Sequence, residues 1–140
     1  MNKLKVYEAG KMSGLNFAQM NNWRVEASKM LKEESDNRIH TINPCDFYNF
    51  SMNPNTYIEK EVKEFDLLMV KQSDVILVNM DYPDSIGTAI ELHMATVWGI
   101  PVIGFGETKN HPWIELCLTK RCKTLEDAVG YILDYYLPNY

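Results

Sequence analysis

The chain has 140 residues, 46% of them hydrophobic and 24% charged, an ordinary globular composition with apolar mass for one domain over 1–140. A net charge of -5 offers no basic surface to a nucleic-acid polymer, so an anionic ligand has to be met by local donors. Cys45, Cys117 and Cys122 form no Cys-x-x-Cys pair, which argues against a disulfide scaffold or structural zinc and for reduced thiols in a cytosol. The N-terminus carries no signal-peptide core and no apolar run could span a bilayer, so a cytoplasmic protein without membrane contact is expected.

In chain order, Leu4-Lys5-Val6-Tyr7 reads as a strand that stops at Ala9-Gly10. Over 16–32, Phe17, Met20, Ala27, Met30 and Leu31 recur at helical spacing. Residues 38–42 form a second strand closed by Asn43-Pro44. The stretch 44–55, with its prolines and asparagines, predicts a loop whose Phe47, Tyr48 and Phe50 either cover a pocket or pack beneath the loop. A helix over 56–71 puts Ile58, Val62, Phe65 and Met69 on one face. Residues 74–80 give the strongest strand, and the unbroken apolar run predicts burial on both faces, as in a central parallel strand. A turn over 81–85 leads to a helix over 86–98, stopped by Gly99 with Pro101 beyond. A strand over 101–105, a loop over 107–112 and a short helix over 111–118 follow. A last strand near 121–123 precedes Thr124-Leu-Glu-Asp127, which looks like a capping box for a helix running to about Tyr136.

This alternation predicts right-handed crossovers and a doubly wound α/β sandwich, flavodoxin-like or Rossmann-like, with a parallel sheet of about five strands and helices on both faces. Ligands of such sheets bind outside the carboxyl ends of the strands, near the point where the strand order reverses. The loops 9–14, 43–55, 81–88 and 106–113 are therefore the ones to inspect.

Asp84-Ser85-Ile86-Gly87-Thr88 joins the strongest strand to a helix. Ser85 or Asp84 can cap that helix, and Gly87 lets a ligand approach the backbone. Free amides and the helix dipole favour an anion there, although plain capping explains the same residues. No dinucleotide fingerprint, Walker loop, nucleophile elbow or His-x-x-x-His spacing occurs. In the third helix Ile86, Ile90, Met94 and Val97 form the apolar stripe, while Glu91 shares a face with Gly87, Thr88, Ala95 and Trp98. Its carboxylate points toward the helix start and the strand-end crevice. By position alone, an acid that merely favours the helix dipole is the better explanation. Asp66 sits beside Val62, Met69 and Val70, either an ordinary boundary residue or an acid whose desolvation keeps a proton available. Two carboxylates in one crevice suit glycosyl transfer, one attacking the anomeric carbon and the other assisting the leaving group. In Gly10-Lys11-Met12-Ser13-Gly14 the amides, Lys11 and Ser13 can hold a base or phosphate, or simply start the first helix. His93 falls near the apolar stripe and reads as a packed histidine.

Taken together, these features resemble the nucleoside 2-deoxyribosyltransferase superfamily, which includes the 2′-deoxynucleoside 5′-phosphate N-hydrolases. The similarity begins at Lys5-Val-Tyr-Glu-Ala-Gly-Lys-Met-Ser-Gly14, against the family's Tyr-x-Ala-Gly-x-x-Ser-Gly, and continues through Asn43-Pro44 and Glu64-Phe-Asp66-Leu. Its most specific part is Ser73-Asp-Val-Ile-Leu-Val-Asn-Met-Asp-Tyr-Pro-Asp-Ser-Ile-Gly-Thr-Ala-Ile-Glu91-Leu, followed by Gly99-Ile-Pro-Val-Ile. The resemblance implies that Glu91 is the nucleophile, forming a covalent sugar ester that water or an acceptor base resolves. It implies that Asp66 works at the nucleobase and that Tyr7 helps place substrate. Family members acting on free nucleosides tend to carry an aspartate where this chain has Ser85, and those acting on 5′-monophosphates a serine. The physics agrees, since a hydroxyl donates to a phosphate and a carboxylate repels it.

The implied function is N-glycosidic cleavage of a (2′-deoxy)nucleoside 5′-monophosphate through glycosyl-Glu91, resolved by water and needing no cofactor or metal. Gly10, Lys11, Met12, Ser13, Ser85, Gly87, Thr88 and Asn110 are the implied substrate-binding residues. Asn110 lies where the transferase pattern takes an asparagine from a neighbouring subunit, although Asn110-His-Pro-Trp113 does not align cleanly. Passing the sugar to another base is the alternative. A non-catalytic nucleotide-binding protein is a second, against which the two acids argue. The family's assemblies, together with Trp113 and the tyrosines Tyr131, Tyr135, Tyr136 and Tyr140, imply a homodimer or larger homo-oligomer.

Overall fold

A computed structural model describes residues 2–47 and 59–140. The strands are β1 (Leu4–Ala9), β2 (Ile39–Ile42), β3 (Val75–Asn79), β4 (Val102–Phe105) and β5 (Lys120–Cys122). The helices are α1 (Phe17–Glu34), α2 (Glu59–Lys71), α3 (Ile86–Val97), the short α4 (Pro112–Glu115) and α5 (Leu125–Tyr131). Pro44–Asp46 make a 3-10 turn after β2, and α5 widens into a π-helical turn over Ile132–Tyr136. All strand pairs are parallel, in the order β2-β1-β3-β4-β5. The order reverses between β1 and β3, so the crevice of such a sheet opens at the ends of those two strands. The expected doubly wound sheet is therefore the one observed.

Period-two alternation distributes the side chains of β1 between two cores. Leu4 and Val6 join Val75 and Leu77 against α1 and α5, with Ala27, Leu31, Ala128 and Ile132 completing that layer. Tyr7 and Ala9 join Ile76 and Val78 on the opposite face, against Val70 of α2 and Leu92 and Ala95 of α3. Every residue of β3 is buried, as its apolar run predicts. Local signals set the helix starts. Asn16 and Gln19 form a reciprocal capping box at α1, and the Thr124 side chain accepts from the Asp127 amide at α5.

Three helix faces differ from expectation. In α3 the buried residues are Thr88, Leu92 and Ala95, whereas Ile86 and Val97 are 79% and 60% exposed and Ile90 also faces outward. The helix is apolar nearly all round, and its small residues permit the closer approach to the sheet, so they take the core side. His93 is consequently exposed rather than packed. Phe17 of α1 and Phe65 of α2 are likewise largely exposed, and Arg24 is buried where an apolar residue would be expected. Of the aromatics expected over the crevice, Phe47 packs edge-on against Phe65 at 5.0 Å between centroids. Tyr48, Phe50 and Ile58 lie outside the described residues. Among the described residues no helix is long and apolar enough to cross a membrane.

Candidate active site

β1 ends at Ala9, and the chain turns at once beneath α1. A Cβ on Gly10 would stand 3.0 Å from the Trp23 ring and 3.3 Å from Arg24 Nη2, so any larger residue would press on both side chains. Arg24, wholly buried, ties the turn down. Its Nε donates to the Glu8 carbonyl and its Nη2 to the Gly10 carbonyl, both at 3.0 Å, and Nη1 donates to the Met20 carbonyl. One guanidinium thus holds the end of β1 to the first turns of α1, and its charge remains close to the crevice.

Across the reversal point, β3 leads into α3. Ser85 is the N-cap, accepting from the Thr88 amide at 3.2 Å, with its hydroxyl 2.8 Å from that of Thr88. Ser85, rather than Asp84, therefore caps this helix. The Asp84 carboxylate instead accepts from Lys11 Nζ at 2.6 Å. A side chain added at Gly87 would meet nothing within 4 Å, so bare backbone faces open space there.

Between these loops lies a cavity of about 670 Å³, lined by both and by α2. It brings together Gly10, Lys11, Met12 and Ser13 from the first loop, Asp66 from α2, and Ser85, Gly87, Thr88 and Glu91 from α3. That volume suits a ligand of a few hundred daltons.

Glu91 is the chemical centre. The buried hydroxyl of Tyr7 donates to its Oε2. This contact follows from register, because Tyr7 points to the α3 side of the sheet and Glu91 lies beside the buried stripe of that helix. Burial pushes the Glu91 carboxyl up from 4.5 to about 7. The Tyr7 hydrogen bond opposes that shift, the charge of Asp66 adds to it and Arg24 counters it. Asp66 is therefore close enough to act on Glu91 through space. Burial, then the negative charges of Glu91 and Asp66, hold the Tyr7 phenol well above its ordinary range, so it stays a donor.

Asn110 stands apart from this group. Its amide donates to the Met80 and Thr108 carbonyls at 2.8 and 3.1 Å, so within its own chain it fastens the loop after β4 rather than lining the cavity. Sequence reasoning did not single out Arg24 or Glu8. Glu8 points to the α1 side of β1, fully buried, with Oε2 accepting from Ser28 Oγ at 2.9 Å. An acid on the same face of β1 as Leu4 and Val6 and an arginine on the core stripe of α1 were the available signals.

No protein-family model matches the chain, and no curated protein matches it either. Solved structures do. A conserved protein from Enterococcus faecalis V583 superposes with a TM-score of 0.78 at 17% identity, covering 93% of this chain and 97% of that one. A 2-deoxyribosyltransferase from Bacillus psychrosaccharolyticus gives 0.68 at 22% identity, covering 94% and 93%. The fold is that of the 2-deoxyribosyltransferases. A CMP N-glycosidase from Clostridium botulinum superposes on this chain less closely, with a TM-score of 0.54 at 18% identity over 95% of this chain and 99% of the other.

Proposed function

We propose that the chain is an N-glycosidase of (2′-deoxy)nucleoside 5′-monophosphates. The observation that carries this reading is the Tyr7–Glu91 pair beside Asp66, in a nucleoside-sized cavity at the reversal point of the sheet. Fold neighbours that transfer deoxyribose or cleave the glycosidic bond of CMP add support.

In this mechanism the ionised Glu91 attacks the anomeric carbon as the bond to the base nitrogen breaks. The bond's electron pair leaves with the base, and Asp66 supplies the proton that neutralises it. Tyr7 orients the Glu91 carboxylate and stabilises its charge before attack. Water then attacks the anomeric carbon of the sugar ester while the ionised Asp66 takes its proton, releasing the sugar phosphate and restoring both Glu91 and Asp66. The Ser85 and Thr88 hydroxyls and the open backbone at Gly87 hold the 5′-phosphate at the start of α3, while the loop from Gly10 to Ser13 closes over the rest of the nucleotide. A transferase would differ only in the acceptor, a second base in place of water, and the 2-deoxyribosyltransferase fold favours it as the second reading.

The active unit is a homo-oligomer. α3 packs between α2 and α4. All three turn apolar side chains outward, among them Phe65, Leu68, Ile86, Val97, Trp113 and Leu116. Ile86 and Ile90 also border the cavity, so a second copy seated on this face would shield the reacting sugar from water.

The test is release of free base from the deoxynucleosides and their 5′-monophosphates, with and without an acceptor base. Monophosphates are expected to be the better substrates. Glu91→Gln keeps the size and hydrogen bonding but cannot form the ester, and turnover should fall by about three orders of magnitude or more. Near wild-type turnover by the folded variant would sink the mechanism.

A further inference from the structure

Two residues that border the cavity form an ion pair to which the bond-breaking steps give no role. Lys11 comes from the loop after β1 and Asp84 from the loop after β3, and they meet over the reversal point at 2.6 Å. Their surroundings differ sharply. The Lys11 side chain is 19% exposed, the Asp84 side chain 70%. Both border the cavity. Lys11 pulls the Asp84 carboxyl below its usual range, as expected for a direct charged hydrogen bond.

On a chain of net charge -5, an anionic ligand needs a cation that can be handed over. Arg24 and Lys63 border the same cavity, but the Arg24 guanidinium is committed to the carbonyls of Glu8, Gly10 and Met20, and Lys63 is an exposed residue of α2 rather than of the two loops that meet at the start of α3. Among the described residues Lys11 is held by a single exposed carboxylate, and an ion pair so open to water is easily exchanged. Asp84 immediately precedes Ser85, the N-cap whose helix start favours an anion. Here a carboxylate one residue before that N-cap holds an ammonium that borders the cavity.

We infer that Asp84 is a built-in competitor for Lys11, which a phosphate group displaces on binding, so that this exchangeable pair sets the preference for phosphorylated over unphosphorylated ligands. The inference rests on the nucleotide reading of the site and specifies how that site discriminates. A phosphate dianion offers the ammonium more charge and more acceptor oxygens than one carboxylate, so the exchange is favourable. An uncharged 5′-hydroxyl cannot displace Asp84, so a nucleoside leaves the pair intact and gains nothing from the ammonium.

The test uses the full chain carrying Glu91→Gln, titrated calorimetrically with the four 2′-deoxynucleoside 5′-monophosphates and the four matching nucleosides. Asp84→Asn should raise the ratio of monophosphate to nucleoside affinity several-fold. Lys11→Met should lower it by about ten- to a hundredfold, as for a lost charged hydrogen bond. Once Lys11 is gone Asp84 has nothing to withhold, so the double variant should match Lys11→Met alone. An unchanged or reduced ratio in Asp84→Asn overturns the inference, as does independent addition of the two effects or failure of every monophosphate to bind. The proposed reaction fails separately. If the ratios shift as expected but no base is released with Glu91 intact, the exchange stands and the catalytic reading falls.

Discussion

Glu8 offers a measurement of what burial costs this fold. Its carboxyl is fully buried in β1, with Oε2 accepting from Ser28, whose hydroxyl in turn accepts from Thr41 Oγ1 at 3.0 Å. Oε1 has no hydrogen-bond partner among the described residues. Burial pushes the acid from 4.5 up to about 8, against the lowering effects of Ser28 and Arg24. Below pH 4.5 folded and unfolded chains are both protonated at this site. Between 4.5 and about 8 the unfolded chain releases the proton and the folded chain keeps it. The unfolded state then binds fewer protons, so stability falls as pH rises and levels off once the folded state also ionises. At about 1.4 kcal/mol per pH unit, the full interval costs on the order of 5 kcal/mol. Glu8→Gln removes the titration but places an amide where Oε1 lacked a partner, a penalty of about 1–3 kcal/mol at every pH. Urea unfolding from about pH 5 to about pH 8.5 should therefore give curves that cross, the variant less stable at the acid end and more stable at the alkaline end. The Glu91 titration tilts both curves alike and cancels in their difference. Parallel curves would refute the argument, because they would mean that the wild-type carboxyl titrates in the same range folded and unfolded.

The reaction itself should follow the charge on Glu91. With its carboxyl raised to about 7, kcat/KM should fall tenfold per pH unit on the acid side of that value. Tyr7→Phe deletes the bond that favours the charged form, so the acid limb should move to higher pH, and a limb that stays or moves down contradicts the role given to Tyr7. Asp66→Asn should cost about a hundredfold or more with poor leaving bases and much less with good ones. An equal loss across leaving groups would make Asp66 a binding residue only. Light scattering across a dilution series, with activity measured in parallel, should give an assembly larger than one 16.3 kDa chain, and a fully active monomer would dismiss the oligomer.

Much of this molecule is written locally. The apolar run of β3, the caps at Asn16, Ser85 and Thr124, and the alternation of strands with helices specify a parallel sheet, because each depends on residues within one or two turns of each other. The loops that border the cavity were legible for the same reason, whereas the local position of Glu91 favoured a plain helix-dipole acid and only the family resemblance singled it out. What depended on strand order was not. Leu92 and Ala95 face the core while Ile86 and Val97 face outward because a helix apolar on several sides is oriented by the sheet it must approach, not by its own periodicity. The burial of Arg24 and Glu8 follows from packing α1 against the end of β1. Tyr7 meets Glu91 and Lys11 meets Asp84 across 84 and 73 residues of chain only because β3 lies beside β1. Such contacts carry no period and no motif; they exist only once the hydrogen bonds of the sheet have placed two distant loops side by side.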